Sequence, residues 1–201
     1  MACDAGTYLY NAAPPWDNRL STTLVHNTIS INHQDQMMRA GRFLWLDWSK
    51  AKIAAYNPNA INGIQDGYLK SGVIHKRKLE NQNNNMWLIT DKLIQITGKK
   101  YKRAVLLNWL LPDWPYMISK NTLSMSAPFG EMQVELFTHA GIISDGLNII
   151  RAGKSLMDKN DSSNHGWYSP TYGVKVPALS IQYNVTGLLP IEITTRFSFM
   201  G

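Results

Sequence analysis

The stretch TLVHNTISI (residues 23–31) alternates in the way that is typical of a β-strand with one buried face. Its apolar residues fall on one side of such a strand and its polar residues on the other: Val25, Ile29 and Ile31 against His26, Thr28 and Ser30. An apolar core would take the valine and the isoleucines. The pattern therefore predicts that His26 points away from the core, onto a polar surface or into a cleft.

The same two-residue period recurs along the chain. It predicts further strands over residues 42–53, 72–80, 86–94, 101–111, 131–140, 178–185 and 191–199. Segments rich in Asn, Gly, Pro and Asp lie between them and are typical of turns, among them NPNAINGIQDG (57–67) and DKNDSSNHG (158–166). No segment keeps apolar residues at helical spacing. We expect an all-β fold, a large antiparallel β-sandwich with few or no helices, as a single domain over residues 1–201.

Composition and charge narrow the class of protein. Hydrophobic residues make up 44% of the 201 residues and charged residues 17%, which is typical of a globular domain rather than a disordered tail. No apolar run approaches the roughly 18 residues of a membrane helix, so we expect no membrane span. The formal charge of +6 favours an anionic partner. No zinc-finger, helix-turn-helix or RNP-like motif accompanies the charge, so nucleic acid is not an expected partner.

Several short motifs resemble those of one enzyme family. They are DAGTY (4–8), the triplet HNT (26–28), DGYLKSGVIHKRKL (66–79), WLITDKL (87–93), LNWLLPD (107–113), GWYSPTYGVKVPAL (166–179) and LLPIEITTRFSF (188–199). In order and spacing they are similar to the C-terminal β-sandwich of the heparinase II/III-like polysaccharide lyases. The resemblance covers nearly the whole chain.

The resemblance implies that this chain is one part of an enzyme. Such lyases join an N-terminal (α/α) toroid, which supplies most of the catalytic residues, to this sandwich. They cleave acidic polysaccharides that contain uronic acid by β-elimination, and the sandwich contributes the histidine matched by His26. We expect no toroid in this chain, an inactive isolated chain, and a periplasmic or extracellular parent protein. The first ten residues lack the basic start and apolar stretch of a signal peptide.

Candidate substrate-binding residues follow from the resemblance and from side-chain chemistry. Asn27 belongs to the matched triplet. The guanidinium groups of Arg39, Arg42 and Arg77 suit carboxylate or sulfate groups, because arginine binds such anions with two hydrogen bonds. Tyr68 could stack on a sugar ring, as could Trp45, Trp48 and Trp167, with packing in the core as the alternative for each.

A zinc site occurs in several members of the family, and its ligands match Thr28, Asp47 and His75 in this sequence. Threonine is a poor zinc ligand, so we expect no bound cofactor and hydrogen bonds without metal at Asp47 and His75. Two further departures from the family pattern are Gln65, where a histidine is frequent, and His33, where a glycine is frequent. His139 and His165 are interpreted as structural or surface residues.

A function of another class remains open, since a sandwich without catalytic activity could bind or organise polysaccharide in a surface or capsule system. Sequence upstream of Met1 would distinguish the two, because only the lyase requires a toroid there.

Overall fold

A computed structural model of the chain describes residues 2–83, 85–138, 142–157 and 159–200, and the predicted all-β fold class is confirmed. These residues form three 3₁₀ turns (Arg19–Ser21, Thr23–Val25 and Leu69–Ser71) and no α-helix. No helix in the described part of the chain is long and apolar enough to cross a membrane. Its strands are β1 Ile29–Ile31, β2 Met38–Arg39, β3 Trp45–Leu46, β4 Ala51–Asn57, β5 Ala60–Gln65, β6 Val73–Asn83, β7 Met86–Gln95, β8 Arg103–Pro112, β9 Tyr116–Ser119, β10 Thr122–Ala127, β11 Gly130–Thr138, β12 Ile143–Arg151, β13 Lys154–Ser155, β14 Trp167–Thr171, β15 Val174–Gly187 and β16 Ile191–Met200.

The chain divides into two compact units. The first unit comprises Met1–Asp47, Ala104–Asp113 and Asp145–Val185, and the second comprises Trp48–Arg103, Trp114–Ser144 and Thr186–Gly201. Both units lie within the span that was predicted to form one sandwich domain.

The first unit is built on a sheet with the strand order β1-β8-β15-β12-β13, in which β14 also pairs with β15. Strand β15 shows how the two faces of this sheet differ. Leu179, Ile181 and Tyr183 are buried and point to one face, whereas Ser180 and Gln182 are buried and point to the other. The second face therefore carries polar groups within the fold.

The second unit is built on an antiparallel sheet with the order β4-β5-β6-β7-β16-β11-β10-β9. Leu93, Val134 and Phe197 are among its fully buried side chains. Residues 57–67 were predicted to be a turn, and that prediction is wrong. Residues 58–59 and Gly67 are turns, but β5 lies between them and pairs on both sides, with Ile61 opposite Tyr56 and Leu79.

The predicted strand over residues 23–31 is only partly correct. Ile29–Ile31 pairs with β8, but Thr23–Val25 forms a 3₁₀ turn. Two side-chain hydrogen bonds hold that turn: the Asp35 carboxylate accepts one from the Thr23 N–H at 2.6 Å, and the Thr23 hydroxyl accepts one from the Gln36 N–H at 2.9 Å. These local bonds compete with strand pairing, so His26 follows a turn and does not lie on a strand.

A tight turn of two left-handed residues follows β1. Asn32 and His33 have φ values of 52° and 57°, and the Gln34 N–H donates to the Ile31 carbonyl at 3.0 Å. Asparagine tolerates this conformation, and the Asn32 carboxamide oxygen also accepts a hydrogen bond from the Ala104 N–H at 3.1 Å. Turns of this kind favour glycine at the second position, so His33 is held in a strained backbone conformation.

We expect His33→Gly to raise the free energy of unfolding by about 0.5–1 kcal/mol. Relief of left-handed strain, worth about 1–2 kcal/mol, exceeds the roughly 0.5–1 kcal/mol of extra chain entropy that glycine loses. Urea unfolding of the variant and of the original chain measures the difference. Asn32→Gly is the matched control and should not stabilise the fold, because it removes the hydrogen bond to Ala104. A His33→Gly variant that is less stable than the original chain would contradict the presence of backbone strain at His33.

Lys175 lies in an aromatic cage in the first unit. Its Nζ is 3.4 Å from the ring centroid of Trp16, 3.9 Å from that of Trp167 and 5.3 Å from that of Tyr8. Partial burial lowers the pKa of the Lys175 ammonium. The cage joins the N-terminal segment to β14 and β15 through cation–π attraction.

Lys175→Met should lower the free energy of unfolding by about 0.5–2 kcal/mol, because the thioether keeps most of the packing and loses the charge. Lys102→Met, on an exposed lysine, is the control. Equal unfolding midpoints for the two variants would show that the cage adds nothing to stability.

Candidate functional site

His26 is fixed by its backbone and by one ring nitrogen. Its Nδ1 lies 2.7 Å from the carbonyl oxygen of Thr22, and because that oxygen can only accept, Nδ1 carries the proton. The His26 carbonyl accepts a hydrogen bond from the buried Asn108 carboxamide at 3.2 Å. Asn108 in turn accepts one from the Ser180 hydroxyl, so the polar face of the sheet positions His26.

The other ring nitrogen of His26 is presented outward. Its Nε2 lies 3.5 Å from a carboxylate oxygen of Asp4, and the imidazole side chain is 33% exposed. With the proton on Nδ1, Nε2 of the neutral ring has a free lone pair. His26 therefore faces away from the core, as predicted, and can accept or return a proton at Nε2.

Both polar atoms of the Asn27 side chain hydrogen-bond to backbone groups of the chain. Its Nδ2 donates to the Cys3 carbonyl at 2.8 Å, and its Oδ1 accepts from the Leu110 N–H at 2.7 Å. The side chain therefore ties the N-terminal segment to β8. Its predicted contact with substrate would have to use the remaining hydrogen-bonding capacity of the same amide.

Arg39 and Arg42 lie together along an open groove of about 350 Å³ in the first unit, which is also lined by Asp17, Arg19 and Asp35. The Arg39 guanidinium donates to the carboxylate of Asp17 at 3.3 Å and to its backbone carbonyl. Desolvation raises the pKa of the Asp17 carboxyl, but hydrogen bonds from Arg19 and Arg39 and the nearby charge outweigh it, so the pKa is lowered.

The charge of this groove suits an anion. Arg39 Nε is buried and makes no hydrogen bond within the described residues. Arg42 is exposed and donates to the side chain of Asn11 at 2.9 Å. The three arginines outnumber the two aspartates, so the groove keeps a net positive charge at neutral pH.

His75, Arg77 and Asp91 form a buried charged cluster in the second unit. The His75 Nε2–H donates to Asp91 Oδ1 at 2.6 Å, and the Arg77 guanidinium donates to both carboxylate oxygens, at 2.7 and 3.0 Å. Burial raises the pKa of Asp91, but the charge of Arg77 and the bond from His75 outweigh it and hold the pKa below its ordinary value. Arg77 also lines an open cavity of about 560 Å³ and is 21% exposed, so its predicted contact with substrate stays a prediction.

Two of the residues matched to zinc ligands, His75 and Thr28, make hydrogen bonds to other side chains. The other ring nitrogen of His75 lies 3.2 Å from Gln65 Nε2, so both nitrogens have hydrogen-bond partners, and the Thr28 hydroxyl accepts from Gln36 at 3.1 Å. Asp47 is exposed and belongs to the other unit. No group of three His, Cys, Asp or Glu side chains within the described ranges could hold a metal ion.

For Tyr68, the structure favours packing in the core over the predicted stacking on a sugar ring. Its side chain is 3% exposed and packs in the core of the second unit, so its ring faces cannot receive a sugar. Burial therefore favours the packing alternative for Tyr68. His139, predicted to be structural or to lie on the surface, is outside the described residues.

A second cavity, of about 550 Å³, lies on the polar face of the sheet in the first unit. Its lining includes Asn148, Gln182, Asn184 and His165, together with the strained His33. Asn148 and Gln182 are buried and joined by a hydrogen bond of 3.4 Å. The sequence carries a signal for this cavity: polar residues alternate with apolar ones in SIQYN (180–184), which was interpreted only as a strand.

His165 forms one wall of this cavity as a structural residue, as predicted. Its Nε2–H donates to the Leu24 carbonyl at 3.0 Å, and its Nδ1 accepts from the Ser162 hydroxyl at 2.7 Å. Burial lowers its pKa to about 4. The ring is therefore neutral at physiological pH and a weak base.

The model of one protein family, described as heparinase II/III-like, C-terminal, matches residues 1–197. The chain belongs to this family. A comparison with curated proteins gives no significant match.

Solved structures show the same fold for this family member. A heparinase III gene product matches with a TM-score of 0.68 and 17% identity, over 98% of this chain and 28% of the other. The heparan sulfate lyase from Pedobacter heparinus matches with a TM-score of 0.65 and 14% identity, again over 98% and 28%. The chain therefore spans little more than a quarter of these larger proteins.

Proposed function

We propose that this chain is the β-sandwich part of a polysaccharide lyase that cleaves an acidic, uronate-containing polysaccharide by β-elimination. The observation that carries the proposal is the hydrogen bonding and exposure of the His26 ring. Within a member of the heparinase II/III-like family, its Nδ1 is held by a backbone carbonyl, and its Nε2 lies at a partly exposed position, 3.5 Å from a carboxylate oxygen of Asp4.

β-Elimination on a uronate needs three groups. A base removes the proton at C5, a cationic or hydrogen-bonding group neutralises the adjacent carboxylate, and an acid protonates the leaving glycosidic oxygen. In this proposal Nε2 of His26 is one proton-transfer group. The remaining groups belong to an (α/α) toroid of the parent protein.

The groove of Arg39 and Arg42 supports an anionic substrate. Its guanidinium groups can bind carboxylate or sulfate with paired hydrogen bonds, and the formal charge of +6 favours encounter with a polyanion. A periplasmic or extracellular location of the parent protein is part of the same proposal, because such polymers lie outside the cytoplasm.

The isolated chain is expected to show no more than background turnover, because a single histidine supplies only part of the three-group requirement. The test follows the ultraviolet absorbance of the unsaturated product, with heparan sulfate, hyaluronan and alginate as substrates, for the chain alone and for the chain joined to its toroid. Turnover by the joined protein only is the expected result. Rapid turnover by the isolated chain would contradict the division of catalytic groups, and binding without turnover by the joined protein would favour a non-catalytic sandwich.

A further inference from the structure

One edge of the eight-stranded sheet in the second unit is formed by β4. Among the strands that the structure describes, β4 pairs with β5 only, and all seven of its residues are exposed. An edge strand leaves backbone N–H and C=O groups without a strand partner, and proteins usually protect such an edge with charged side chains, proline or a very short strand. β4 contains no proline and carries one charge, on Lys52. Its backbone is therefore open to pairing with another strand.

Two large apolar side chains lie on one face of this edge. Ile53 is 65% exposed and Tyr56 is 81% exposed. Their partners on β5, Gly63 and Ile61, are two residues apart and so belong to one face, which Ile53 and Tyr56 share because the register of β4 shifts at a bulge before Ala55. Ile61 is itself 45% exposed and extends the apolar strip to β5. Apolar groups beside an open backbone edge indicate contact with another strand.

The sequence of β4 is complementary to itself when two copies run antiparallel. With Ala55 opposite Ala55 of a second copy, and the bulge present in both strands, Ile53 lies opposite Tyr56 of the other copy and Lys52 lies opposite Asn57. Cross-strand pairs of an aromatic and a β-branched residue stabilise antiparallel sheets, and a two-fold axis makes this pair twice. The two copies of Lys52 lie at opposite ends of the pairing, so like charges do not meet. This complementarity favours a second copy of the chain as the strand that covers the edge.

We propose that β4 of one copy pairs antiparallel with β4 of a second copy, so that two eight-stranded sheets join edge to edge in a homodimer. Ile53 and Tyr56 form the apolar contacts across the two-fold axis, and the bulge sets the register. β4 belongs to the second unit and His26 to the first. The pairing uses no residue of the site at His26 and does not rest on the proposed function.

Analytical ultracentrifugation of the 201-residue chain tests the pairing. Loading concentrations from about 1 to 500 μM cover weak interfaces, and we expect a monomer–dimer equilibrium in this range. Ile53→Lys and Tyr56→Glu change exposed side chains and should each lower the association constant about tenfold or more, because the two-fold axis repeats each loss in both pairings. Met117→Lys, at a 72% exposed residue of β9 on the other edge of the sheet, is the control and should leave the equilibrium unchanged.

Mixing the two variants tests the register. A heterodimer of Ile53→Lys with Tyr56→Glu sets the introduced lysine opposite the introduced glutamate in one pairing and keeps Ile53 opposite Tyr56 in the other. The equimolar mixture should therefore recover dimers that neither variant forms alone, since opposite charges across strands attract. Circular dichroism of each variant checks that it is folded.

Three results with the chain alone would overturn the proposal: a monomer at the highest concentration, a dimer that both variants leave intact, or a mixture that recovers no dimer. The complete parent protein provides a further test and is expected to dimerise through the same edge. A complete protein that stays monomeric while the chain alone dimerises would also overturn it, because another part of the parent, such as its toroid, would then cover β4. Turnover does not enter these measurements, so the dimer can fail while the role of His26 stands.

Discussion

His26→Ala in the complete two-domain enzyme is expected to lower kcat by about 10²- to 10⁴-fold, the range for loss of a positioned acid–base group. The side chain is 33% exposed, so the same change should alter the free energy of unfolding of the chain by less than about 1 kcal/mol. Steady-state kinetics and urea unfolding measure the two quantities separately.

His165→Gln is the matched control for this prediction. His165 is buried in the same unit and makes two hydrogen bonds, so its loss should reduce stability more than His26→Ala does, and kcat much less. The reverse ranking, with His26→Ala unfolding the chain and leaving kcat intact, would identify His26 as a structural histidine.

Asp91→Ala is expected to lower the free energy of unfolding by about 3–5 kcal/mol, because it removes the fully buried carboxylate to which both His75 and Arg77 donate. Lys78→Met on the same sheet is the control, since the partly exposed pair of Lys78 and Glu80 is worth less than about 1 kcal/mol. Urea unfolding compares the two variants at neutral pH. Equal costs would mean that the charged cluster does not stabilise the second unit.

The same cluster predicts the direction of a pH dependence. The pKa of Asp91 is lowered in the folded state, so its contribution to stability is complete above the unfolded value of about 3.9 and is lost as the pH falls below it. Asp91→Asn should remove this part of the acid destabilisation.

Much of the second sheet could be predicted from alternation alone. In β6 the pattern places His75 and Arg77 on the side of Val73, and all three are partly or fully buried there. In the sequence, His75 and Arg77 therefore appear as charged residues on the buried face of β6. Their partner Asp91 becomes apparent only when β7 is placed in register. β5 was missed because asparagine, proline and glycine favour turns, and pairing with two neighbouring strands outweighs that preference.

The site was less predictable, because it depends on contacts between residues distant in sequence. His26 was expected to lie on a polar strand face; it faces outward, but a 3₁₀ turn held by Asp35 places it there. Side-chain chemistry suggested Tyr68 and Arg77 as substrate ligands, but it could not show that Tyr68 is buried or that Arg77 pairs with Asp91. Alternation cannot show which polar residues line a cavity.

The most direct test of the account is the product formed by the complete enzyme from a uronate-containing polysaccharide, with and without His26→Ala. Mass spectrometry should show new chain ends that lack one water relative to hydrolysis, with the matching ultraviolet absorbance, and the variant should form them at least about 10²-fold more slowly. Saturated, hydrolytic chain ends, or elimination at an unchanged rate in the variant, would contradict a lyase in which this chain supplies the proton-transfer histidine.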